Sequence, residues 1–210
     1  MHPRTTPVAA WAAALAGFVI LSALASFNDT FPGDVWLAQH LQEIDLAPFT
    51  EALDYTEDVA DLPWLVLVWL GTAVFVLRAI GWQQAIVLVS GLSGRLLNSG
   101  LKELIGRPRP SLSLVEAENQ PGSLSFPSGH AESAVLLWGM LFYFATVHLG
   151  DARMRLPAQA LCLWFIVATG VERVYAGDHW PSDVLGGFYI GVLLLACLIA
   201  AERLVRPGRQ

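Results

Sequence analysis

The sequence predicts an all-α protein, a bundle of six membrane-spanning helices with a site at the outer membrane face. Of its 210 residues, 55% are hydrophobic and only 14% are charged. Soluble domains carry about a quarter charged residues. Several apolar segments also reach the roughly 20 residues that a helix needs to cross about 30 Å of hydrocarbon. One such bundle accounts for residues 1–210 as a single domain.

The apolar segments define the spans in chain order. They lie at about 8–27, 62–80, 83–104, 130–149, 157–175 and 183–203. The third span is the least apolar, so its polar residues should face protein rather than lipid. These residues are Arg95, Asn98, Ser99 and Lys102. The first span is either a retained helix or a signal peptide, and we favour the helix because its apolar stretch exceeds a typical signal core.

Basic residues predict the orientation of the bundle. The segment 28–61 contains nine acids and no Lys or Arg, and we interpret these acids as a solvated outer surface. Arginines occur instead in the other connections and at both ends. They are Arg4, Arg78, Arg153, Arg155, Arg203, Arg206 and Arg209. The positive-inside rule then predicts a multi-pass protein of the cytoplasmic membrane, with both termini in the cytoplasm.

Four basic residues lie on the predicted outer side, against this rule. They are Lys102, Arg107, Arg109 and Arg173. They belong to the stretches KELIGRPRP (102–110) and ERVYAGDHWPSD (172–183), and PSGH (127–130) lies between these. Cations, hydroxyls and backbone N–H groups at a helix start bind phosphate, so the outer span ends should form a phosphate site. Arg107 alone we interpret as a loop or lipid-headgroup contact.

The histidines of these stretches have the positions that phosphoryl transfer requires. Ser128 and Gly129 begin span four with a hydroxyl and an unobstructed backbone, and His130 points a titratable ring at an anion bound there. His179 and Asp183 are four residues apart. Asp183 can accept the Nδ1 proton of His179 and leave Nε2 as a nucleophile, as a phosphohistidine intermediate requires.

The motifs K-x6-RP, PSGH and R-x5-H-x3-D, in this order, resemble those of the type 2 phosphatidic acid phosphatase (PAP2) family. The resemblance covers roughly residues 102–183 by motif. It implies that His179 is the nucleophile, Asp183 its orienting group and His130 the general acid.

The resemblance also assigns the phosphate-binding groups. These are Lys102, Arg109, Ser128, Gly129 and Arg173. It implies neither a metal nor another cofactor, and the sequence has no carboxylate cluster typical of a two-metal site. One position departs from the family motif, which usually opens with Ser–Arg: here Glu172 precedes Arg173 and replaces a hydroxyl by an acid.

Arg95 has no place in the family motifs. It lies seven residues before Lys102, on nearly the same helix face and roughly 10 Å deeper in the membrane. We expect it to pair beneath the phosphate site with Glu132 or Glu172, and more with Glu132, because an unpaired buried charge is costly. The alternative is that Arg95 reaches the inner interface or binds only backbone carbonyls and water.

These residues predict an integral-membrane phosphatase that acts on a lipid phosphate or diphosphate. We expect undecaprenyl diphosphate, with phosphatidylglycerophosphate, phosphatidic acid and lipid A phosphate as alternatives. A phosphate-binding transporter is the alternative of another class, but it requires a polar path across the membrane. The net charge of −6 argues against a nucleic-acid partner, and only the bilayer and the lipid substrate are expected as partners.

Overall fold

The computed structural model describes residues 7–60, 64–117 and 122–205, which form helices joined by turns and loops. The helices are α1 (Pro7–Phe27), α2 (Asp34–Gln42), α3 (Ala47–Ala60), α4 (Trp64–Ala79), α5 (Trp82–Ser90), α6 (Gly94–Ile105), α7 (Gly129–His148), α8 (Ala152–Tyr175) and α9 (Pro181–Val205). The all-α prediction is confirmed. Arg4, Arg206 and Arg209, on which the orientation partly depends, lie outside the described residues.

By length and composition, four of the described helices can cross a membrane. These are α1, α7, α8 and α9, whereas α4 is apolar but shorter, with 16 residues. α1 packs on α9, where the Tyr189 hydroxyl donates to the Ala14 carbonyl oxygen at 2.8 Å. The count of six spans, the orientation of the termini and the retention of α1 stay predictions.

The predicted third span is not one continuous helix. A 3-10 turn at Gly91–Ser93 separates α5 from α6. A Cβ atom at Gly91 would come within 2.7 Å of the Trp69 ring, and one at Gly94 within 2.5 Å of a Glu132 carboxylate oxygen. Glycine at both positions lets neighbouring helices approach closely, and Gly/Ser sequences are common where a helix bends.

The polar face of α6 turns inward as predicted, with one exception. Asn98 is buried, and Arg95 and Lys102 are half-buried, whereas Ser99 is exposed. Leucines cover the opposite face, where Leu96 and Leu104 are about four-fifths exposed (80% and 82%). Polar groups therefore face the protein, and an apolar surface remains for lipid.

α7 is the central helix of the bundle. It is the most buried of the four candidate spans, and 67% of its apolar 18-residue stretch lies inside the protein. Its N-cap is Ser128, whose hydroxyl accepts a hydrogen bond from the Ala131 N–H at 3.5 Å. The Ser128 N–H donates to the Asp183 carbonyl oxygen at 3.0 Å, so the first turns of α7 and α9 are held together.

The segment that contains α2 is docked on the bundle. The Gln42 amide donates to the Glu116 and Tyr175 carbonyl oxygens at 2.6 and 2.8 Å. Asp34, at the start of α2, is only 3% exposed. The interpretation of all acids in 28–61 as a solvated surface is therefore wrong for Asp34, although Asp29 and Glu43 are exposed.

We expect Gly187→Ala to lower the stability of the folded protein. The added Cβ atom would lie 2.4 Å from the Ser128 carbonyl oxygen, so α7 and α9 must separate. The loss should be about 1–3 kcal/mol, as for other overpacked sites. The measurement is thermal unfolding of the purified protein in detergent. Gly100→Ala is the control, because nothing lies within 4 Å of its Cβ position; equal stability of the two variants would contradict the prediction.

Candidate active site

Backbone and side-chain hydrogen bonds bring the three motif stretches together at one end of the bundle. The Ser125 N–H donates to the Arg107 carbonyl oxygen at 2.9 Å. The Arg109 guanidinium donates to the Asp178 carbonyl oxygen at 2.6 Å and to the Ser123 carbonyl oxygen at 2.8 Å. Residues that are far apart in sequence thus form one site.

His179 is buried in this site, with 1% of its surface exposed. Its N–H donates to the Arg173 carbonyl oxygen at 3.1 Å, in the loop between α8 and α9. Its ring Nδ1 lies 3.2 Å from the Ser125 hydroxyl oxygen and 3.7 Å from the nearer Asp183 carboxylate oxygen. The distance to Asp183 is too long for a direct hydrogen bond, so the predicted direct bond is absent.

The Ser125 hydroxyl lies between His179 and Asp183. It donates to the Asp183 carboxylate at 2.5 Å. Because a hydroxyl has a single proton, Nδ1 of His179 must be the donor to Ser125, and Nε2 then carries the lone pair. Asp183 can therefore fix the tautomer of His179 through Ser125, a residue that none of the sequence motifs contains. Ser125 lies three residues before Ser128, and this position was the feature of the sequence that could have indicated a role at the site.

Burial also keeps the His179 ring neutral. It lowers the pKa of His179 to about 3, and the positive charges of Lys102 and Arg109 act in the same direction. Asp183 acts in the opposite direction and raises this pKa. A neutral imidazole is the form that has a lone pair for attack on phosphorus, so His179 is unprotonated at ordinary pH.

Three of the predicted phosphate-binding cations are held by neighbouring acceptors. The Lys102 ammonium donates to the Leu124 carbonyl oxygen at 2.8 Å. Arg173 donates to the Asp178 carboxylate at 2.9 Å, and a second Asp178 oxygen lies 4.0 Å from Arg109. Burial lowers the pKa of Arg109, and Asp178 counters that shift. Asp178, directly before His179, was missed by the sequence analysis.

The Glu172 carboxylate lies close to the predicted phosphate site and is paired with the Arg173 guanidinium. It accepts a hydrogen bond from Nε of Arg173, and both side chains are 3% exposed. The acid that replaces the usual serine therefore compensates the charge of Arg173. With Asp178 on its other side, Arg173 lies between two carboxylates.

The start of α7 packs closely against α6. A Cβ atom at Gly129 would lie 3.0 Å from the Asn98 side-chain oxygen, so the glycine permits close packing against α6. His130 is half-buried and lines a cleft between α3, α4, α7 and α8.

Arg95 and Glu132 form no direct hydrogen bond, although the charge of Arg95 acts on the Glu132 carboxylate through space. The Arg95 guanidinium donates to the Ser133 hydroxyl oxygen at 3.4 Å. The two carboxylate oxygens of Glu132 are buried without a hydrogen-bond partner in the described part of the chain. α7 turns Ser133 toward Arg95, whereas the Glu132 carboxylate lies against Gly94. The pairing of Arg95 with Glu172 stays a prediction.

Arg107 is a core residue, so its interpretation as a loop or headgroup contact is wrong. It is 1% exposed and donates to the Asp183 carboxylate at 2.5 Å and to the Asp34 carboxylate at 3.0 Å. The sequence placed Arg107 within two residues of Arg109 but could not show that one of them turns inward.

The described residues contain no group of three or more His, Cys, Asp or Glu side chains that could hold a metal ion. A buried histidine near cations, at one end of a helical membrane protein, is the arrangement expected of a membrane-embedded phosphatase. The chain belongs to the PAP2 superfamily, whose family model matches residues 83–205.

Several characterised proteins are similar to this chain. Phosphatidylglycerophosphatase B of Bacillus subtilis is 33% identical over 150 residues, which are 71% of each chain. Decaprenylphosphoryl-5-phosphoribose phosphatase of Mycobacterium tuberculosis is 30% identical over 154 residues, 70% of this chain and 73% of that protein. Lipid A 1-phosphatase of Rhizobium etli is 30% identical over 119 residues, 53% of this chain and 47% of that protein.

A solved structure has the same fold. The crystal structure of a transmembrane PAP2-type phosphatidylglycerolphosphate phosphatase from Bacillus subtilis matches with a TM-score of 0.79. The match covers 95% of this chain and 98% of that chain at 23% sequence identity. It confirms the predicted class of helical membrane fold.

We expect Ser125→Ala to lower kcat by roughly ten- to a hundredfold, as is typical when a partner that orients a functional histidine is removed. The alanine removes the link between His179 and Asp183 and leaves the ring tautomer unfixed. The measurement is phosphate release under saturating substrate. Ser113→Ala, on an exposed loop, is the control, and wild-type kcat in Ser125→Ala would contradict the assigned role.

Proposed function

We propose that this PAP2 protein removes phosphate from a membrane lipid phosphate or diphosphate through a phosphohistidine intermediate. The observation that carries the proposal is the buried, neutral His179, linked through Ser125 to Asp183 and surrounded by Lys102 and Arg109. Such a group is a nucleophile in a place where phosphoryl oxygens find cationic donors.

In the first step, Nε2 of His179 attacks phosphorus and forms the P–N bond while the bond to the lipid oxygen breaks. His130 donates a proton to that leaving oxygen. Asp183, acting through Ser125, stabilises the positive charge that develops on the imidazole ring. Lys102, Arg109 and Arg173, with the backbone at Ser128 and Gly129, bind the phosphoryl oxygens.

In the second step, His130 accepts a proton from water as the water oxygen attacks phosphorus. The P–N bond breaks, inorganic phosphate leaves and the lone pair returns to Nε2 of His179. Catalysis then depends on positioning and on stabilising charge on the phosphoryl oxygens, which side-chain cations supply. We therefore expect turnover in the presence of a chelator.

The cleft beside His130 supports a lipid as substrate. Its walls are mostly apolar. The lining side chains include Thr56, Leu65, Val68, Ala134, Trp138 and Phe165. A lipid in the plane of the bilayer can lay its chain along these apolar side chains while its phosphate reaches the histidines.

For the particular substrate, we propose a polyprenyl diphosphate, undecaprenyl diphosphate, hydrolysed at the outer face of the cytoplasmic membrane. The similarity to an enzyme named for a decaprenylphosphoryl substrate supports a polyprenyl chain. Phosphatidylglycerophosphate is the second candidate, because the relative from Bacillus subtilis, at 33% identity, is named for it. Membership of a phosphatase superfamily argues against the transporter alternative.

We expect His179→Ala to abolish phosphate release and leave the fold intact. Without the nucleophile the cationic groups alone cannot form the covalent intermediate, so the barrier should rise by several kcal/mol, on the order of a thousandfold in rate. The measurement is phosphate release by protein that is monodisperse in detergent. His40→Ala, on the exposed part of α2, is the matched control. Normal turnover by His179→Ala would refute the mechanism.

We expect Val68→Trp to raise KM for long-chain lipids, because the indole fills the cleft. Turnover of a water-soluble, short-chain phosphate should be unchanged. Val66→Trp, outside the cleft on the same helix, is the control.

The measurement is phosphate release, in EDTA, from undecaprenyl diphosphate, phosphatidylglycerophosphate, phosphatidic acid and lipid A phosphate. The highest kcat/KM for undecaprenyl diphosphate would support the proposed substrate. A tenfold preference for phosphatidylglycerophosphate would instead identify the second candidate as the substrate. Equal effects of both tryptophans on all substrates exclude the cleft as the chain site.

A further inference from the structure

A buried network connects the candidate catalytic site with the segment before α2. At its centre is Arg107, whose side chain has no exposed surface. Its guanidinium donates to the Asp183 carboxylate at 2.5 Å, to the Ser182 hydroxyl at 2.8 Å and to the Asp34 carboxylate at 3.0 Å. A fourth donor reaches the Asn28 carbonyl oxygen at 3.2 Å. Arg107 thus binds the predicted orienting acid and a second carboxylate from elsewhere in the chain.

Asp34, like Arg107, forms several hydrogen bonds. One of its oxygens accepts from the Ser182 N–H at 3.0 Å. The other accepts from the Ser182 hydroxyl at 2.6 Å and from the Phe31 N–H at 2.7 Å. Both carboxylate oxygens of Asp34 are thus satisfied by hydrogen-bond donors, as a buried carboxylate requires.

The charges of this network leave one net negative charge next to His179. Arg107 contributes +1, and Asp34 and Asp183 contribute −1 each. If Asp34 were neutral, Arg107 would offset Asp183 completely. The stabilisation that Asp183 offers to a positive charge on His179 would then be weaker, since charges interact strongly where water is excluded.

Other charged and titratable groups lie at the same end of the bundle as Asp34 and Arg107. They are Lys102 on α6, Arg109 and Asp178 on loops, His130 on α7, and Glu172 and Arg173 on α8. The hydrogen bonds of Asp34 in the described residues involve none of these groups: its partners are Phe31, Arg107 and Ser182. These contacts connect Asp34 to His179 through Arg107 and the start of α9.

We propose that Asp34 is a positioning residue for catalysis, which holds Arg107 so that the Arg107–Asp183 pair keeps the charge needed to stabilise phosphorylated His179. The proposal rests on the histidine mechanism proposed above. It makes the start of α2, which lies outside residues 83–205 of the family match, a part of the active site.

The test is a double-mutant cycle on kcat and KM of the full chain. Asp34→Asn preserves the shape of the side chain and removes its charge. We expect kcat to fall at least about tenfold with KM nearly unchanged, because Asp34 does not contact the phosphate-binding cations. In the Arg107→Gln background, the same Asp34→Asn change should lower kcat no further. Asp29→Asn, an exposed acid of the same segment, should leave kcat unchanged.

Equal factors for Asp34→Asn in both backgrounds, or a rise in KM without a fall in kcat, would overturn the proposal. If Arg107→Gln does not fold, Ser182→Ala replaces it, because this change removes hydroxyl contacts to both Asp34 and Arg107 without removing charge. It should lower kcat about fivefold at constant KM, and wild-type kcat would again overturn the proposal. An active His179→Ala protein would instead refute the mechanism itself.

Discussion

The contact of Arg107 with Asp183 and Asp34 is the interaction on which the site end of the bundle depends. The three side chains are at most 3% exposed, so none of their charges is solvated by water. Burying a charge costs several kcal/mol, and removing one partner leaves the others without compensation. Each element that supplies a member of the network is thereby fixed in place: the start of α2, the loop after α6 and the first turn of α9. His179 lies between two of these elements, and its orientation follows from theirs.

A second constraint acts on the cations that are expected to bind phosphate. Arg173 lies between Glu172 and Asp178, and Arg109 donates to the Asp178 carbonyl oxygen. Two carboxylates reduce the positive potential of the site and fix the guanidinium in one position before any anion arrives. An arginine fixed in this way loses less conformational freedom on binding, which favours a preorganised site over a strongly attractive one. The acid at position 172 is therefore compatible with the phosphate-binding role that is proposed for Arg173.

The sequence predicted the helical spans and the residue types of the site more fully than the contacts between them. Long apolar runs gave α7, α8 and α9 within a few residues, except that α8 begins at Ala152 rather than near 157 because Asp151 caps it. The motifs brought Ser128 and Asp183 to one place, as their backbone hydrogen bond shows. The sequence did not reveal the roles of Ser125, Arg107 and Asp34, because these roles arise from tertiary contacts. Asp34 and Ser182, for example, are 148 residues apart. The same limit explains Arg95, for which helix periodicity gave a face but not a partner.

The order in which the chain is synthesised gives the Asp34–Arg107–Asp183 network a further consequence. Asp34 and Arg107 leave the ribosome well before α9, and Asp183 follows Arg107 by 76 residues, or several seconds at ordinary elongation rates. During that interval the two early residues can neutralise each other, so the chain need not carry two isolated charges while the last helix is inserted. The arrival of α9 then adds Asp183 to an ion pair that already exists. Assembly of the candidate active site is thereby coupled to completion of the bundle, because the proposed nucleophile His179 has its proposed orienting acid only when α9 is in place.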